Sequence, residues 1–170
     1  MREFLLFGKG FTKVDQWQEG CWINVSDPNQ DDFTYLEEMG VPESFISDIR
    51  DPNERPRVEK DDDWMLTIMR IPRETGDVDI PFSTVPLGVI TNGDLVIVLC
   101  YFKNIVIHDF IQYNTAKGNA INNKFALILR SVTYTHLRAH ETGRNLVCRL
   151  LLEKKQDEEE KKTKNKNATQ

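Results

Sequence analysis

Three groups of side chains in this 170-residue sequence have types and spacings that chemistry could use. His136 and His140 stand four residues apart with Glu141 beside them. On a helix that spacing turns both imidazoles to one face, which is how several metal sites begin. Asp61, Asp62 and Asp63 are consecutive carboxylates, oxygen donors of the kind a hard cation takes. Consecutive residues in a turn point in different directions, however, so the expectation for them is a solvated acidic turn. His108 lies among Ile105, Val106, Ile107 and Phe110, with no serine or cysteine near it in sequence. A side-chain nucleophile needs a base that a third group holds in place. No such set is recognisable, so His108 reads as a packing or surface residue. Gly8-Lys9-Gly10 lacks both the spacing and the strand–helix setting of a phosphate loop. No catalytic or cofactor-binding residue is expected, and the residues by themselves describe a protein that is not an enzyme.

The elements that would position these groups follow an α/β pattern. "EFLLF" and "FTKVD", on either side of Gly8-Lys9-Gly10, predict a hairpin. "CWINV" predicts a strand that ends at Ser26-Asp27-Pro28, where an oxygen-bearing side chain followed by proline signals helix entry. That helix should run to about Met39 and stop at Gly40. Pro42 opens a second helix, "PESFISDI", that buries Phe45, Ile46 and Ile49. "RPRVE", alternating Val58 with charges, and "WMLTIMRI" predict strands across a polar turn at 60–63. The second is apolar almost throughout and is expected at the centre of a sheet. "FSTVPLGVI" and "LVIVLCYF" flank Thr91-Asn92-Gly93-Asp94, and Asn-Gly between apolar runs predicts a hairpin with positive φ at both residues. Pro86 suggests an edge or a bulge in the first of these strands. "NIVIHDFIQYNTAKG" predicts a helix closed by Gly118, and "NNKFALILR" the start of another.

Hydrophobic residues make up 39% and charged residues 29%, which places the chain among soluble globular proteins. No apolar run approaches the roughly 18–20 residues that cross a bilayer, and the N-terminal run is too short for a signal peptide. Cys21, Cys100 and Cys148 form no CxxC pair, as suits a reducing compartment; Cys21 and Cys100 fall in strands and are expected to be buried as small apolar groups. The net charge of −5 argues against nucleic acid as a partner. That charge is unevenly spread: residues 1–130 carry −8 and residues 131–170 carry +3.

The break coincides with a resemblance to sequence that is not of protein origin. Residues 131–142, "SVTYTHLRAHET", are similar to a transposase-type sequencing adapter translated in frame, with a single base change accounting for Thr133. "LVCRLLLEKK", residues 146–155, continues that adapter beyond a short sample index. Thr142 and Asn145 obey the codons fixed at the two index borders, which leaves only Gly143 and Arg144 free. Residues 156–170 are low in complexity and dominated by residues with A-rich codons. His136 and His140 are therefore set aside as metal ligands.

Within residues 1–130 a larger constellation carries a family resemblance. Its parts are Trp22-Ile23-Asn24, Gly40-Val41-Pro42, Asp48, the run from Glu54 through Arg55-Pro56-Arg57-Val58 to Glu59, and Thr84-Val85-Pro86-Leu87-Gly88. In this order and spacing they resemble the cytosolic N-terminal domain of CorA-type magnesium/cobalt transporters. The resemblance implies an α/β fold with a mixed β-sheet between helical layers. It would be truncated here, with an artefactual C-terminal helix or coil. The domains expected are an incomplete CorA-like unit at 1–130, the adapter-derived segment at 131–155 and a tail at 156–170. The resemblance further implies a divalent-cation transporter of the cell (inner) membrane. Its intact form would be a homopentamer, with this domain cytoplasmic and the membrane reached only through C-terminal helices missing here. This fragment would be soluble. Mg2+ is implied as a regulatory ion between neighbouring subunits, and Asp48 matches one of the carboxylates that would bind it. Glu54, Arg55, Arg57 and Glu59 are expected to form a salt-bridge ladder of little energetic weight. The alternative is a stand-alone soluble α/β binding or interaction module.

Overall fold

The computed structural model describes residues 1–76, 82–93, 95–103 and 106–117. All of them fall within the compact unit Met1–His136. The strands are β1 (Arg2–Gly8), β2 (Gly10–Val14), β3 (Cys21–Ser26), β4 (Arg57–Asp61), β5 (Trp64–Glu74), β6 (Phe82–Asn92) and β7 (Leu95–Cys100). The helices are α1 (Gln30–Glu38), α2 (Glu43–Arg50) and α3 (Val106–Ala116). His136, His140 and the residues from 118 onward, where the last helix and the adapter-like segment were placed, lie outside the described residues.

The strands form one mixed sheet in the order β2-β1-β3-β7-β6-β5-β4. β3 and β7 run parallel, with Trp22 opposite Val96 and Ser26 opposite Cys100; every other neighbouring pair is antiparallel. Alternation along β7 explains why its sequence is apolar at every position. Val96, Val98 and Cys100 join Trp22, Leu87 and Phe110 of α3 in one core. Ile97 and Leu99 join Ile23, Leu36 of α1 and Phe45 and Ile49 of α2 in the other. A strand covered on both faces has no polar side to show. The expected mixed sheet between helical layers is what the chain forms.

Several local expectations shift. The first helix is capped by Asn29, not by Ser26 or Asp27: the Asn29 side chain accepts from the Asp32 amide at 2.9 Å, and the Asp32 carboxylate accepts from the Asn29 amide at 3.1 Å. This reciprocal pair satisfies two amides that the first turn leaves free. Asp27 instead takes positive φ (51°) directly ahead of Pro28. Gly40 does end α1, with φ of 78°. The β6–β7 turn is displaced from the expected Asn92-Gly93 pair, because Asn92 still pairs with Leu95 while Gly93 carries positive φ (53°). β5 is next to last in the sheet rather than central, and Val58 on the edge strand β4 is 66% exposed. Pro86 pairs with Arg70 on β5, while the β6–β7 ladder starts only at Gly88. Its missing N–H therefore costs no bond on the β7 side.

Candidate functional site

The polar cluster around Asp48 grows out of the packing of α2. Pro42 precedes the helix with φ of −55°. Phe45 and Ile49 are fully buried against the sheet, each burial contributing about 1.5–3 kcal/mol. Ile49 lies so close to β6 that only a glycine fits beneath it: a Cβ on Gly88 would meet Ile49 Cδ1 at 2.1 Å. With Phe45 and Ile49 turned inward, Asp48 remains at the rim, 29% exposed at its side chain. The chain then folds back on itself. The Asp51 side chain accepts from the Asn53 amide at 2.8 Å, and the Asp51 carbonyl accepts from the Glu54 amide at 3.1 Å.

Arg70 of β5 fixes this return loop. Its Nη1 donates to the carbonyls of Pro52 (3.0 Å) and Glu54 (2.8 Å), and its Nε donates to Thr84 Oγ1 at 2.8 Å. Its Nη2 donates to the Thr84 carbonyl. The loop therefore delivers β4 in a register where Arg57 opposes Ile68 of β5, on the same sheet face as Ile49. Arg57 there meets three carboxylates with three different nitrogens. Nη2 donates to Asp48 Oδ2 at 2.6 Å, Nε to Glu59 Oε2 at 3.0 Å, and Nη1 to Glu54 Oε1. The hydrogen bond to Glu59, helped by the nearby charges of Asp48 and Glu54, holds the guanidinium charged even more firmly than usual. Three carboxylates around one cation leave a locally negative surface.

The expected ladder is thus rearranged. Arg55 forms no ion pair among the described residues, and only its backbone amide is engaged, with Glu54 Oε1 at 2.9 Å. Asp48, outside the expected ladder, takes the place beside Arg57. That contact joins residues nine apart across a loop whose path is set by Arg70, and no local signal encodes it.

Among the described residues no group of three His, Cys, Asp or Glu side chains converges closely enough to hold a metal ion. Asp62 carries positive φ (48°) in the β4–β5 turn, and Asp61 to Asp63 are exposed. His108 is exposed on α3, 3.1 Å from Gln112 and 3.9 Å from Asp109. Cys21 and Cys100 are buried free thiols; Cys100 Sγ donates to the carbonyls of Phe102 (3.3 Å) and Pro86 (3.6 Å). No helix among the described residues is long and apolar enough to cross a membrane.

Comparison with known proteins adds what geometry leaves open. The sequence pattern of the CorA-like Mg2+ transporter proteins matches residues 17–168. The chain belongs to that family. The resemblance read from Trp22-Ile23-Asn24 through Gly88 is borne out, and the matched range also takes in residues 131–155. None of the curated proteins compared with the sequence matches it. Among solved structures, the chain is similar to the complete CorA magnesium transporter of Methanocaldococcus jannaschii. The TM-score is 0.71 at 21% identity, over 86% of this chain and 47% of that one. The soluble domain of the same CorA gives 0.68 at 19% identity, over 84% of this chain and 60% of that one. The ZntB cytoplasmic domain of Vibrio parahaemolyticus gives 0.62 at 16% identity, over 78% and 56%. At these identities the likeness is one of fold. The chain spans about half the length of the complete CorA it matches.

Proposed function

We propose that this CorA-family chain is part of the cytosolic ion-sensing domain of a Mg2+ transporter of the cell membrane, with the pore encoded beyond it. The observation that carries the reading is the family match over residues 17–168; the fold shared with a CorA soluble domain supports it. In the intact protein, a homopentamer, Mg2+ would lie between neighbouring cytosolic domains, with Asp48 as one ligand. The chemistry of the donors suits the ion. Mg2+ takes oxygen ligands and gives up its waters reluctantly, so one or two carboxylates are enough to hold it. Asp48, half-buried at the end of α2, supplies such an oxygen at a surface where several carboxylates already repel one another. A bound divalent ion would relieve that repulsion and draw two subunits together. Loss of the ion would let them separate and favour conduction.

The test is Mg2+ uptake by cells that lack their own Mg2+ transporters and express the complete gene. Uptake is expected, self-limiting as internal Mg2+ rises. Asp48→Asn should weaken that limit, so that uptake continues to a higher internal Mg2+ level. A complete gene that supports no divalent-cation uptake would contradict the reading and leave a soluble binding module in its place.

A further inference from the structure

We infer that Arg57 is a built-in competitor for the cation at Asp48, and so sets how much divalent ion is needed before Asp48 captures it. The inference rests on the reading of Asp48 as a ligand and adds the residue that tunes it. Its basis is the fork itself. Each donor-bearing nitrogen of Arg57 faces a different carboxylate, Glu59 at 3.0 Å, Asp48 at 2.6 Å, and Glu54. The protein thereby supplies its own cation to a surface of three acidic groups. The guanidinium also keeps the carboxylates spread around its plane, in keeping with the absence of a converging metal-ligand group among the described residues.

A divalent ion approaching Asp48 meets this arrangement in two ways. Oδ2 is already bonded to Nη2, so an ion that takes this oxygen must displace a charge-assisted hydrogen bond. An ion that takes the other oxygen sits beside a guanidinium that stays protonated at any pH the protein meets. Either way the guanidinium opposes the ion, and removing it should favour the ion. The ion pair is partly exposed, with side-chain exposures of 33% and 29%. Pairs of this kind have a modest worth, so the effect should be a graded change of set point.

The experiment uses the isotope-labelled 170-residue chain and Mn2+ alone, a paramagnetic ion with the same preference for carboxylate oxygen as Mg2+. Mn2+ broadens the amide signals of residues near its site even when binding is weak. The signals around Asp48 should broaden in the wild-type chain and stay sharp in Asp48→Asn. In Arg57→Gln the Mn2+ concentration for half-broadening should fall by about two- to fivefold, the range that the worth of an exposed ion pair allows. Arg57→Lys keeps the charge but holds fewer carboxylates at once, and should give a smaller fall; it also serves if the glutamine variant folds poorly. Arg55→Gln removes a charge of the same sign from a residue outside the fork, and should shift the midpoint less than Arg57→Gln. Broadening near Asp48 that is absent, or that survives in Asp48→Asn, overturns the ligand role of Asp48 and the inference with it. Broadening that depends on Asp48 but is unmoved in Arg57→Gln, or is matched in Arg55→Gln, overturns the inference alone.

Discussion

Trp22 and Asn24 face the same side of β3, and each buries a polar atom, Nε1 and Oδ1, that has no hydrogen-bond partner. Asn24 is 5% exposed, and its amide nitrogen reaches Glu3 Oε2 only at 3.4 Å. A buried acceptor left unpaired costs about 1–3 kcal/mol, and a β-branched residue suits a covered strand. Asn24→Val should therefore stabilise the chain by about 1 kcal/mol, read as a higher urea midpoint with an unchanged slope. A clear loss of stability would mean that Oδ1 is satisfied, for example by a buried water. The same scale shows what sequence can say about a site. Asp48 was legible as a motif position, and its place at the rim of α2 follows from Phe45 and Ile49 turning inward. Its pairing with Arg57 was not legible, because it depends on Arg70 holding the Pro52 and Glu54 carbonyls from a strand that comes later in the chain.

At the scale of elements, the seat of α2 on the sheet turns on one close approach. Gly88 has ordinary strand geometry and could accept a side chain as far as its backbone is concerned. The obstacle is Ile49, fully buried, whose Cδ1 and Cγ1 would lie 2.1 and 2.6 Å from an added Cβ. Gly88→Ala should cost about 1–3 kcal/mol, as overpacking does. Adding Ile49→Val, which deletes Cδ1, should recover part of that loss, so the double variant should be more stable than the two single costs added together predict. Equal stability of Gly88→Ala and wild type in thermal unfolding would refute the close packing of α2. Element types were legible wherever apolar periodicity and punctuation agreed, as in "CWINV", "PESFISDI" and "LVIVLCYF". Ends were less so. Ser26-Asp27-Pro28 carries the composition of a cap, yet Asn29 with Asp32 three residues on forms the better reciprocal pair. Asn92-Gly93 has the composition of a turn, yet cross-strand pairing with Leu95 keeps Asn92 in the ladder.

At the scale of the whole molecule, the mixed sheet could be expected from hairpins interrupted by helices, but the neighbour relation at its centre could not. β3 and β7 lie far apart in sequence and pair in parallel, a contact that only the intervening crossover through α1, α2 and the β4–β6 strands makes possible. The position of β5 beside the short edge strand β4 is decided by the same long-range order, which explains how an apolar strand came to lie off-centre. The family assignment came from a different layer of the sequence, the ordered motifs between Trp22 and Gly88, and the match over residues 17–168 agrees with it. The most direct measurement of the transporter reading is a long genomic read through this locus, begun upstream of codon 130. The expected result is a frame that continues into the membrane-spanning C-terminal helices that the CorA resemblance implies, with the codons for His136 and His140 gone. A genomic frame that ends without membrane-spanning segments would contradict it; a read that reproduces "YTHLRAHET" in place would instead overturn the adapter resemblance and return the histidine pair as candidate ligands.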